Sequence, residues 1–451
     1  MPEAGTLASL IARSARSEGV VSTRDYILPL DAAAHGSPFG ADRSAFAGRS
    51  VVLVVRDMAK AVAALIDLDG VARRILLCPP NWEQAKLAAA AQLIGADALA
   101  FDEECPPRAL PVEARHPVRL PLRPGAVASP TLETEWVLPT SGTSGPPKLA
   151  VHTLHTLMGA IAPAPLQQWA TFYDIRRYGG LQILLRALAG RGSLRLSGVD
   201  EEIESFLARC GACGVTHISG TPTHWRMALF SGAASRIDPE YVRLSGEIAD
   251  DPLLARLAAA YPRAQIDHAY ASTEAGVAFE VGDGRAGFPA AWLGGDDPIA
   301  LKIQEGSLRV RTPRRALRLL GADAPALVDE DGFLDTQDLI ETRDDRCYFM
   351  GRRGGIINVG GAKVHPEEVE AVLNALDPVR ASRVFARSNP ITGAIVVAEI
   401  VLNDPAARHQ NLEREILAAA RQRLALHMAP AQIRIVAELP MTPAGKLRRD
   451  R

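Results

Sequence analysis

The sequence lacks the features that mark membrane, nucleic-acid-binding and secreted proteins. No uninterrupted apolar run approaches the roughly 18 residues that span a bilayer. Arg13 and Arg16 stand where a signal peptide would need its apolar core, so we expect a cytoplasmic protein. Positive charge is not in excess, because 50 Lys and Arg residues face 52 Asp and Glu residues and the formal net charge is −2. Without a basic surface to neutralise phosphates, nucleic acid is not an expected partner.

Cysteine is also scarce, and its pattern excludes two further classes of protein. The five cysteines are odd in number and scattered, which argues against a disulfide framework. Cys210 and Cys213 form an isolated CxxC pair, but no second pair and no suitably spaced histidines accompany it, as a zinc site would require. We interpret them as ordinary thiols. With 47% hydrophobic and 23% charged residues, the 451-residue chain is an ordinary globular protein, long enough for about three compact units.

Short apolar runs alternate with amphipathic stretches between Arg49 and Asp102. This rhythm is typical of strands alternating with helices, which build a parallel sheet. A proline-rich stretch over 106–130 interrupts the alternation, which then continues to about Tyr270. Residues 299–313 instead alternate with a period of two around Gly306, which predicts an antiparallel hairpin. The sequence therefore predicts an α/β fold, in which αβ layers with parallel sheets precede a β-rich part.

A glycine-rich point over 351–355 separates the last part of the chain from the rest. Beyond it the pattern predicts helices over 366–375 and 411–425, and strands near 381–386 and 394–402. We expect a domain boundary here. The predicted domains are a large N-terminal domain over 1–352 and a small α+β C-terminal domain over 353–451.

The segment 138–148 is rich in residues that can hold phosphate. It places four hydroxyl side chains, two glycines and Lys148 between a predicted strand and a predicted helix. Backbone N–H groups and hydroxyls of such a loop can surround phosphate oxygens while the lysine adds positive charge. It is not a Walker A loop, because Pro147 stands where a glycine is required and Leu149 follows the lysine. A flexible surface connection is an equally good interpretation of this segment alone.

Together with four later segments, this loop resembles the adenylate-forming superfamily, which contains acyl-CoA ligases, nonribosomal adenylation domains and firefly luciferase. The later segments follow the family's order and extend the resemblance to residue 446. They are Tyr270-Ala271-Ser272-Thr273-Glu274, the Gly332-to-Asp338 segment, Gly351-Arg352 with the hinge segment that follows it up to Glu370, and Pro440-Met441-Thr442-Pro443-Ala444-Gly445-Lys446. The chain is most similar to an AMP-forming acyl-CoA ligase. That resemblance implies a large N-terminal domain and a small mobile C-terminal domain.

The resemblance implies an enzyme that activates a carboxylic acid with ATP and Mg²⁺ to an acyl-adenylate plus pyrophosphate. It then transfers the acyl group to a thiol, for which coenzyme A is the first expectation. By the same resemblance, Lys446, Thr273 and Glu274 are the catalytic residues, and Glu274 is also the Mg²⁺ ligand. Lys446 would neutralise the charge that builds up when two anions are joined. The implied nucleotide-binding residues are Thr140, Ser141, Gly142, Thr143, Ser144, Gly145, Lys148, Gly246, Glu247, Tyr270, Ala271, Ser272, Asp338 and Arg352.

The thiol acceptor and the acid stay open at this point. Gly360 and Gly361 resemble the segment that lines the pantetheine tunnel of acyl-CoA ligases, yet a carrier protein's phosphopantetheine arm would use the same tunnel. A stand-alone enzyme that loads a carrier protein is therefore the alternative. A non-catalytic nucleotide-binding relative is disfavoured, because it would not need Lys446. Aryl, short-chain and fatty acids all remain possible substrates.

Three departures from the family pattern qualify these expectations. Gly354 takes the hinge position that usually holds Asp or Lys, so rotation of the C-terminal domain should remain possible. Gln337 replaces the usual glycine beside Asp338. No histidine occurs in the segment 172–181, where many acyl-CoA ligases carry one.

The segment 172–181 also bears on the acid. Arg177 falls where amino-acid-activating relatives place an aspartate, which disfavours α-amino acids because a cation repels an ammonium group. For Arg176 and Arg177, solvent exposure or pairing with Asp174 is favoured over binding of a second anionic group of the substrate. For His217, His224 and Trp225, a place in the core is favoured over one in the acyl pocket.

Overall fold

The computed structural model describes most of the chain. The described residues are 5–12, 19–103, 110–124, 132–140, 147–159, 161–162, 164, 166–198, 200–296, 298–321, 326–390, 392–442 and 447–448. Six of the predicted site residues lie outside them, namely Ser141, Gly142, Thr143, Ser144, Gly145 and Lys446.

The described helices are short to medium in length. They are α1 (Leu7–Ala12), α2 (Leu30–His35), α3 (Met58–Leu68), α4 (Gln84–Ile94), α5 (Leu154–Met158), α6 (Tyr178–Ala189), α7 (Ile203–Ala212), α8 (Pro222–Phe230), α9 (Asp251–Ala260), α10 (Pro366–Asn374) and α11 (Leu412–Arg423). Within the described part of the chain, none of them is long and apolar enough to cross a membrane.

The strands outnumber the helices. In chain order they are β1 (Val20–Ser22), β2 (Ile27–Pro29), β3 (Gly36–Ser37), β4 (Ser50–Val54), β5 (Arg74–Leu77), β6 (Ala98–Asp102), β7 (Ala114–Val118), β8 (Arg123–Pro124), β9 (Glu135–Pro139), β10 (Leu149–His152), β11 (Gln168–Thr171), β12 (Ser193–Leu196), β13 (His217–Gly220), β14 (Tyr241–Ser245), β15 (Gln265–Ser272), β16 (Gly276–Val281), β17 (Phe288–Pro289), β18 (Ala300–Gln304), β19 (Ser307–Arg311), β20 (Arg318–Leu320), β21 (Leu334–Arg343), β22 (Arg346–Arg352), β23 (Ile357–Val359), β24 (Ala362–Val364), β25 (Val379–Asn389), β26 (Gly393–Leu402) and β27 (Gln432–Ile435).

Two large sheets form the body of the molecule. Sheet 1 has the order β16-β15-β14-β13-β11-β12-β1-β2, and sheet 2 has the order β20-β10-β9-β5-β4-β6-β7. Both are parallel at their centres, as in the pairs β13–β14, β14–β15, β4–β5 and β4–β6. Antiparallel strands occupy both edges of sheet 1 and the β20 edge of sheet 2, whereas β7 at the other edge of sheet 2 is parallel. The predicted α/β fold is confirmed. The alternation between Arg49 and Asp102 accounts for β4, α3, β5, α4 and β6 in that order.

Helices α3 and α6 lie between the two sheets. Their side chains share one apolar core with inward-facing residues of both sheets, such as Leu53 and Trp169. Ten of the eleven residues of α3 are buried, with Lys60 the exception, as expected for a helix enclosed on all sides. Helices α7, α8 and α9 cover the other face of sheet 1, and α4 covers the other face of sheet 2. Layers of helix and sheet therefore alternate through the body.

Two smaller sheets follow. Sheet 3 has the order β17-β22-β21-β19-β18 and contains the predicted hairpin, with Gly306 between β18 and β19. Sheet 4 has the order β24-β23-β26-β25, with β27 added beside β26, and packs with α10 and α11 on a separate core. The chain leaves sheet 3 at Arg352 and enters sheet 4 at Ile357. The domain boundary after residue 352 stays a prediction.

One sequence-based expectation about local structure was wrong. The loop after β9 leads into the strand β10, which pairs antiparallel with β9, and not into a helix. The run Leu149 to His152 is short and entirely buried, and periodicity alone does not separate a buried strand from a helix in so short a run. The proline-rich stretch over 106–130 also contains the parallel strand β7, because Pro117 sits at the sheet's edge, where a missing N–H is tolerated.

Candidate active site

The base of the phosphate-binding loop is closed by a backbone hydrogen bond. The Thr140 N–H donates to the Lys148 carbonyl at 3.0 Å, and the side chain of Lys148 is exposed. Pro139, the last residue of β9, pairs antiparallel with Leu149, the first residue of β10, so the described residues on the two sides of the predicted loop lie side by side. The role of 141–145 stays a prediction, since those residues lie outside the described ones.

A buried histidine joins this strand pair to the next motif. His152, the last residue of β10, has its Nε2 2.7 Å from the Thr273 carbonyl oxygen and its Nδ1 3.0 Å from the Thr156 hydroxyl. A carbonyl only accepts, so Nε2 carries the proton. Burial lowers the pKa of His152 to about 4, so the ring is neutral at physiological pH. Sequence analysis missed this residue, whose only sequence signal is its position four residues after Lys148.

The turn that carries Thr273 and Glu274 is held through its backbone. The Glu274 carbonyl accepts the Ala316 N–H at 2.9 Å. Next along the chain, Gly276 has a φ of +76°, and a Cβ there would lie 2.4 Å from the Arg314 carbonyl oxygen, so only glycine fits. The turn therefore presents the partly exposed Thr273 and Glu274 side chains in a fixed place.

Ala271 and Ser272 complete this motif at the end of β15. Both are partly exposed, and the Ser272 hydroxyl accepts the Ala275 N–H at 2.9 Å. The register of β15 against β16 shifts between Tyr270 and Ala271. Such irregularities re-aim side chains next to functional sites.

Asp338, Arg352 and Tyr270 meet at one corner of the site. The Tyr270 hydroxyl donates to Asp338 Oδ2 at 2.5 Å, and Arg352 Nε donates to Asp338 Oδ1 at 3.1 Å. Burial lowers the pKa of Arg352, but the carboxylates of Asp338 and Glu274 outweigh it, so the net pKa is raised. The structure thus brings together three predicted residues from three different motifs. Glu274 is close enough for its carboxylate to raise the pKa of Arg352.

The aromatic ring of Tyr270 is already stacked. The rings of Phe279 and Phe349 lie nearly parallel to it, with centroids 5.3 Å and 5.0 Å away. We therefore expect Tyr270 to contribute to a nucleotide site through its hydrogen bond to Asp338, and not by stacking its ring on adenine. Gln337, beside Asp338, has a φ of +60°, which explains why a glycine is usual at that position.

The turn after β14 connects the site to the C-terminal end of the chain. Gly246 has a φ of +89°, and the Tyr173 hydroxyl donates to the Ser245 carbonyl at 2.8 Å. The Glu247 carboxylate accepts the Thr223 N–H at 2.9 Å and hydroxyl at 2.7 Å through Oε2, and the Leu447 N–H at 3.0 Å through Oε1. Glu247 therefore binds protein groups from two directions.

The described residues near the C-terminal end bond to one another and to this glutamate. Met441 and Leu447 form a β-bridge, and the Arg448 N–H donates to the Pro440 carbonyl at 2.9 Å. Lys446 itself lies outside the described residues, but Leu447, the next residue, contacts Glu247. A second contact, between β25 and α8, places the Arg380 guanidinium 3.7 Å from the Phe230 ring centroid.

The predicted hinge and thiol-tunnel glycines lie outside this cluster. Gly354 belongs to the single 3₁₀ turn Arg353–Gly355, and a Cβ there would meet nothing within 4 Å. Gly360 and Gly361 form the turn between β23 and β24 with φ values of +57° and +89°, and the Gly360 N–H donates to the Thr392 carbonyl at 2.9 Å. Their roles stay predictions.

The arginine pair over 176–177 divides into two different environments. Arg176 is buried and donates to Asp174 Oδ1 at 2.6 Å and to the Val55 carbonyl at 2.5 Å, so the favoured pairing with Asp174 is present. Arg177 is the N-cap residue that precedes α6, and burial lowers its pKa. Arg176 is thus a structural residue that joins the two large sheets.

The predicted core residues behave as expected. Trp225 is fully buried, and His224 stacks on Phe172 with ring centroids 5.0 Å apart while it caps α8 through Thr221. Burial lowers the pKa of His224 to about 4. His217 is half-buried and packs against Trp169.

The Glu247 contacts lead to a first prediction. Glu247→Ala should slow pyrophosphate formation about tenfold, because charge-assisted hydrogen bonds of this kind contribute about 1.5–3 kcal/mol each. Thioester formation from a supplied acyl-adenylate should change less, since the resemblance to acyl-CoA ligases implies that the C-terminal domain rotates away for the second step. The two half-reactions are measured separately, with the exposed Glu240→Ala variant as control. Equal loss in both steps would contradict a docking role for Glu247.

Comparison with known families gives this geometry a context. The family model for the AMP-binding enzyme matches residues 55–294, just over half of the 451 residues, and the model for the AMP-binding enzyme C-terminal domain matches 368–446. The chain belongs to the AMP-binding enzyme family. The predicted membership of the adenylate-forming superfamily is confirmed.

Curated relatives of this AMP-binding enzyme match only part of their own length. Human mitochondrial acyl-coenzyme A synthetase ACSM5 is 33% identical over 111 residues, which are 24% of this chain and 19% of the relative. The medium/long-chain-fatty-acid–[acyl-carrier-protein] ligase FadD10 of Mycobacterium tuberculosis is 31% identical over 150 residues, 32% of this chain and 27% of the relative. The aligned regions therefore cover only 19% and 27% of the lengths of these two relatives.

Solved structures share the fold of this AMP-binding enzyme over nearly its whole length. The anthranilate CoA ligase AuaEII in complex with anthranoyl-AMP has a TM-score of 0.80 at 16% identity, covering 99% of this chain and 96% of that one. E. coli MenE with bound OSB-AMS has a TM-score of 0.78 at 20% identity, covering 97% and 95%. At these identities the likeness concerns the fold.

Proposed function

We propose that this AMP-binding enzyme is an AMP-forming acid–thiol ligase. It activates a carboxylic acid with ATP to an acyl-adenylate and pyrophosphate, and then transfers the acyl group to coenzyme A. The observation that carries the proposal is the meeting of Asp338, Arg352 and Tyr270 beside the Thr273–Glu274 turn. Asp338 would accept the ribose hydroxyls, Arg352 would donate to the same sugar, and the Thr273 hydroxyl would bind the α-phosphate.

The residues present fit a magnesium ion that arrives with the nucleotide. Within the described residues, no group of three or more His, Cys, Asp and Glu side chains forms a metal cluster. Mg²⁺ is usually held by one or two carboxylates, with phosphates and water as its other ligands, so Glu274 alone is a suitable donor. When bound, the ion would neutralise phosphate charge. The chain's own part is to hold Glu274 still, through the contacts of its turn with Ala316 and His152.

The docked C-terminal turn supports the order of the two steps. Leu447 contacts Glu247 at the turn proposed to line the nucleotide. Lys446, the preceding residue, would thereby be available for the charge that develops at the α-phosphate. Transfer to the thiol would require the C-terminal part to rotate about Gly354 and bring Gly360 and Gly361 to the acyl group.

The acceptor is the less supported half of the proposal. Coenzyme A is proposed because the sequence around Gly360 and Gly361 is similar to the tunnel segment of acyl-CoA ligases. The relatives named above include a coenzyme A synthetase and a carrier-protein ligase, so a carrier-protein arm is the second candidate. Both acceptors end in the same thiol chemistry.

A substrate panel tests the proposed function. Pyrophosphate release is measured with ATP and Mg²⁺ across aryl, fatty and amino acids, each with and without coenzyme A. We expect a subset of acids to release pyrophosphate, faster with coenzyme A and with formation of a thioester. If coenzyme A does not change the rate of pyrophosphate release, a carrier protein becomes the proposed acceptor. An absence of release with every acid would contradict the ligase assignment.

A further inference from the structure

Three arginines and one glutamate meet between helix α6 and sheet 1. Arg186 of α6 donates through Nη2 to Glu280 Oε1 of β16 at 2.8 Å. Arg243 of β14 donates to the same oxygen through Nη2 at 3.0 Å and through Nε at 3.3 Å. Arg314 donates through Nη1 to the Val277 carbonyl, three residues before Glu280, at 3.1 Å. We call Arg186, Arg243, Glu280 and Arg314 the distal cluster.

The strand register gives the distance from the distal cluster to the turn after β14, which is proposed to line the nucleotide. Ser245 lies opposite Ala269, which in turn lies opposite Glu280, so Glu280 is two strands from Ser245 in one row. Two strand spacings measure about 10 Å. Arg243 precedes Ser245 by two residues on the same face of β14, a separation of about 7 Å. The distal cluster therefore lies about 7–10 Å from the turn after β14, a distance that one small molecule can span.

The cluster is partly accessible. The Glu280 side chain keeps 28% of its surface accessible and that of Arg186 keeps 17%. Glu280 lies on β16, the edge strand of sheet 1, so the cluster is accessible from the edge of that sheet. Arg243, by contrast, is 2% accessible and forms the back of the cluster.

The hydrogen-bonding groups left over in the cluster are donors. Arg186 Nε and Arg314 Nε are buried and have no hydrogen-bond partner in the described part of the chain. Buried polar groups are normally satisfied, so each such atom calls for an acceptor. The nearby carboxylate of Asp267 does not supply one, because it accepts from Tyr241 and Gln265. Arg186 and Arg243 contact Glu280, and Arg314 lies near enough for the Glu280 charge to act on it. Counted with the neighbouring Asp267, the three cations exceed the two carboxylates by one charge.

We infer that the distal cluster binds a second, negatively charged acceptor group of the acid, so that the preferred substrate is a compact dicarboxylic acid. This inference rests on the proposed function, because the acid's first carboxylate must lie at the turn after β14 that is proposed to line the nucleotide. The second carboxylate then lies about 7–10 Å away, the length of one aromatic ring or of a short aliphatic chain. A distal amine is disfavoured, since the unpaired atoms are donors and the cluster carries excess positive charge.

A comparison of matched acids tests the inference. Terephthalate, 4-hydroxybenzoate, 4-aminobenzoate and 4-methylbenzoate differ only in the distal group, and adipate and hexanoate form the aliphatic pair. The kcat/KM for pyrophosphate release should favour the dicarboxylic member of each series about tenfold or more, as expected where a site built to pair a polar group is left unpaired by the analogue. Equal values, or a preference for the amine, would overturn the inference.

Variants separate the cluster's role from general stability. Arg186→Gln should lower the preference for the dicarboxylic acid about tenfold while sparing the rate with the matched monoacid. Arg318→Gln is the matched control. Arg318 and Arg74 both donate to Glu135 in sheet 2, just as Arg186 and Arg243 both donate to Glu280. Arg314→Gln serves where Arg186→Gln does not fold. An unchanged preference in the folded variants would contradict the inference.

Calorimetry keeps this test independent of turnover. Binding of terephthalate and 4-methylbenzoate is measured with AMP present, and the dicarboxylic acid should bind about tenfold more tightly. If no acid released pyrophosphate but this difference held, the proposed function would fail and the distal site would stand. If pyrophosphate were released and the difference were absent, the reverse would hold.

Discussion

Lys446→Ala is expected to lower the rate of pyrophosphate release about 100- to 1000-fold, the loss typical of removing one group that stabilises transition-state charge. Joining a carboxylate to the α-phosphate of ATP brings two anions together, and the lysine is the proposed cation at that point. The described neighbour of Lys446 supports its position, because the Leu447 N–H reaches Glu247 at 3.0 Å. Conversion of a supplied acyl-adenylate to thioester should be retained, since this step would use a different position of the C-terminal part.

The control for this prediction is a second cation from the same turn. Arg448→Ala removes an exposed arginine two residues later, whose backbone N–H binds Pro440. This variant should keep both half-reactions, because its side chain has no part in the proposed chemistry. Equal pyrophosphate release by Lys446→Ala and the unaltered protein would refute the catalytic assignment. Equal loss of both half-reactions would refute rotation between two states.

Local pattern was sufficient to predict the order of the elements and most of the fold. The alternation from Arg49 to Asp102 gave the parallel strands and helices of sheet 2, and the period of two around Gly306 gave a hairpin of sheet 3. The pattern failed at β10, where four consecutive buried residues carry no periodicity. It also gave no sign of β7, a strand at the sheet's edge, where a proline is tolerated.

The site was predicted where a motif carries it and was missed where distant residues meet. Asp338, Arg352 and Tyr270 were each expected from their own motif, and the structure brings them into contact. His152 and Thr273 are 121 positions apart, and Arg186 and Glu280 are 94 positions apart. No spacing rule joins such residues, because only the packing of α6 and β10 against sheet 1 brings them together.

Glu247 shows a further limit of motif reasoning. Its position after Gly246 indicated a nucleotide-lining residue, yet both carboxylate oxygens are engaged by Thr223 and Leu447. The motif gave the place of the residue in the site but not its partners. Those partners come from α8 and from the C-terminal end of the chain.

Gly354→Pro is expected to spare adenylation and to slow thioester formation about tenfold or more. Proline fixes φ near −65°, and holding a residue outside its permitted region costs about 1–3 kcal/mol, or about 5- to 150-fold in a population. In the described arrangement a Cβ at Gly354 meets nothing within 4 Å, so bulk alone should not disturb the first step. The two half-reactions are measured separately with the acyl-adenylate supplied for the second.

Two further variants separate restricted rotation from other effects of the proline. Gly354→Ala adds the same first carbon without fixing φ and should keep both steps. Because proline also disfavours a helical conformation in the residue before it, Arg353→Pro provides a second test. Arg352 is already extended, with φ −91° and ψ 144°, so a proline after it leaves the described turn intact. Thioester formation at the unaltered rate in both proline variants would remove the hinge from the proposed cycle, because rotation about this turn would then not be required.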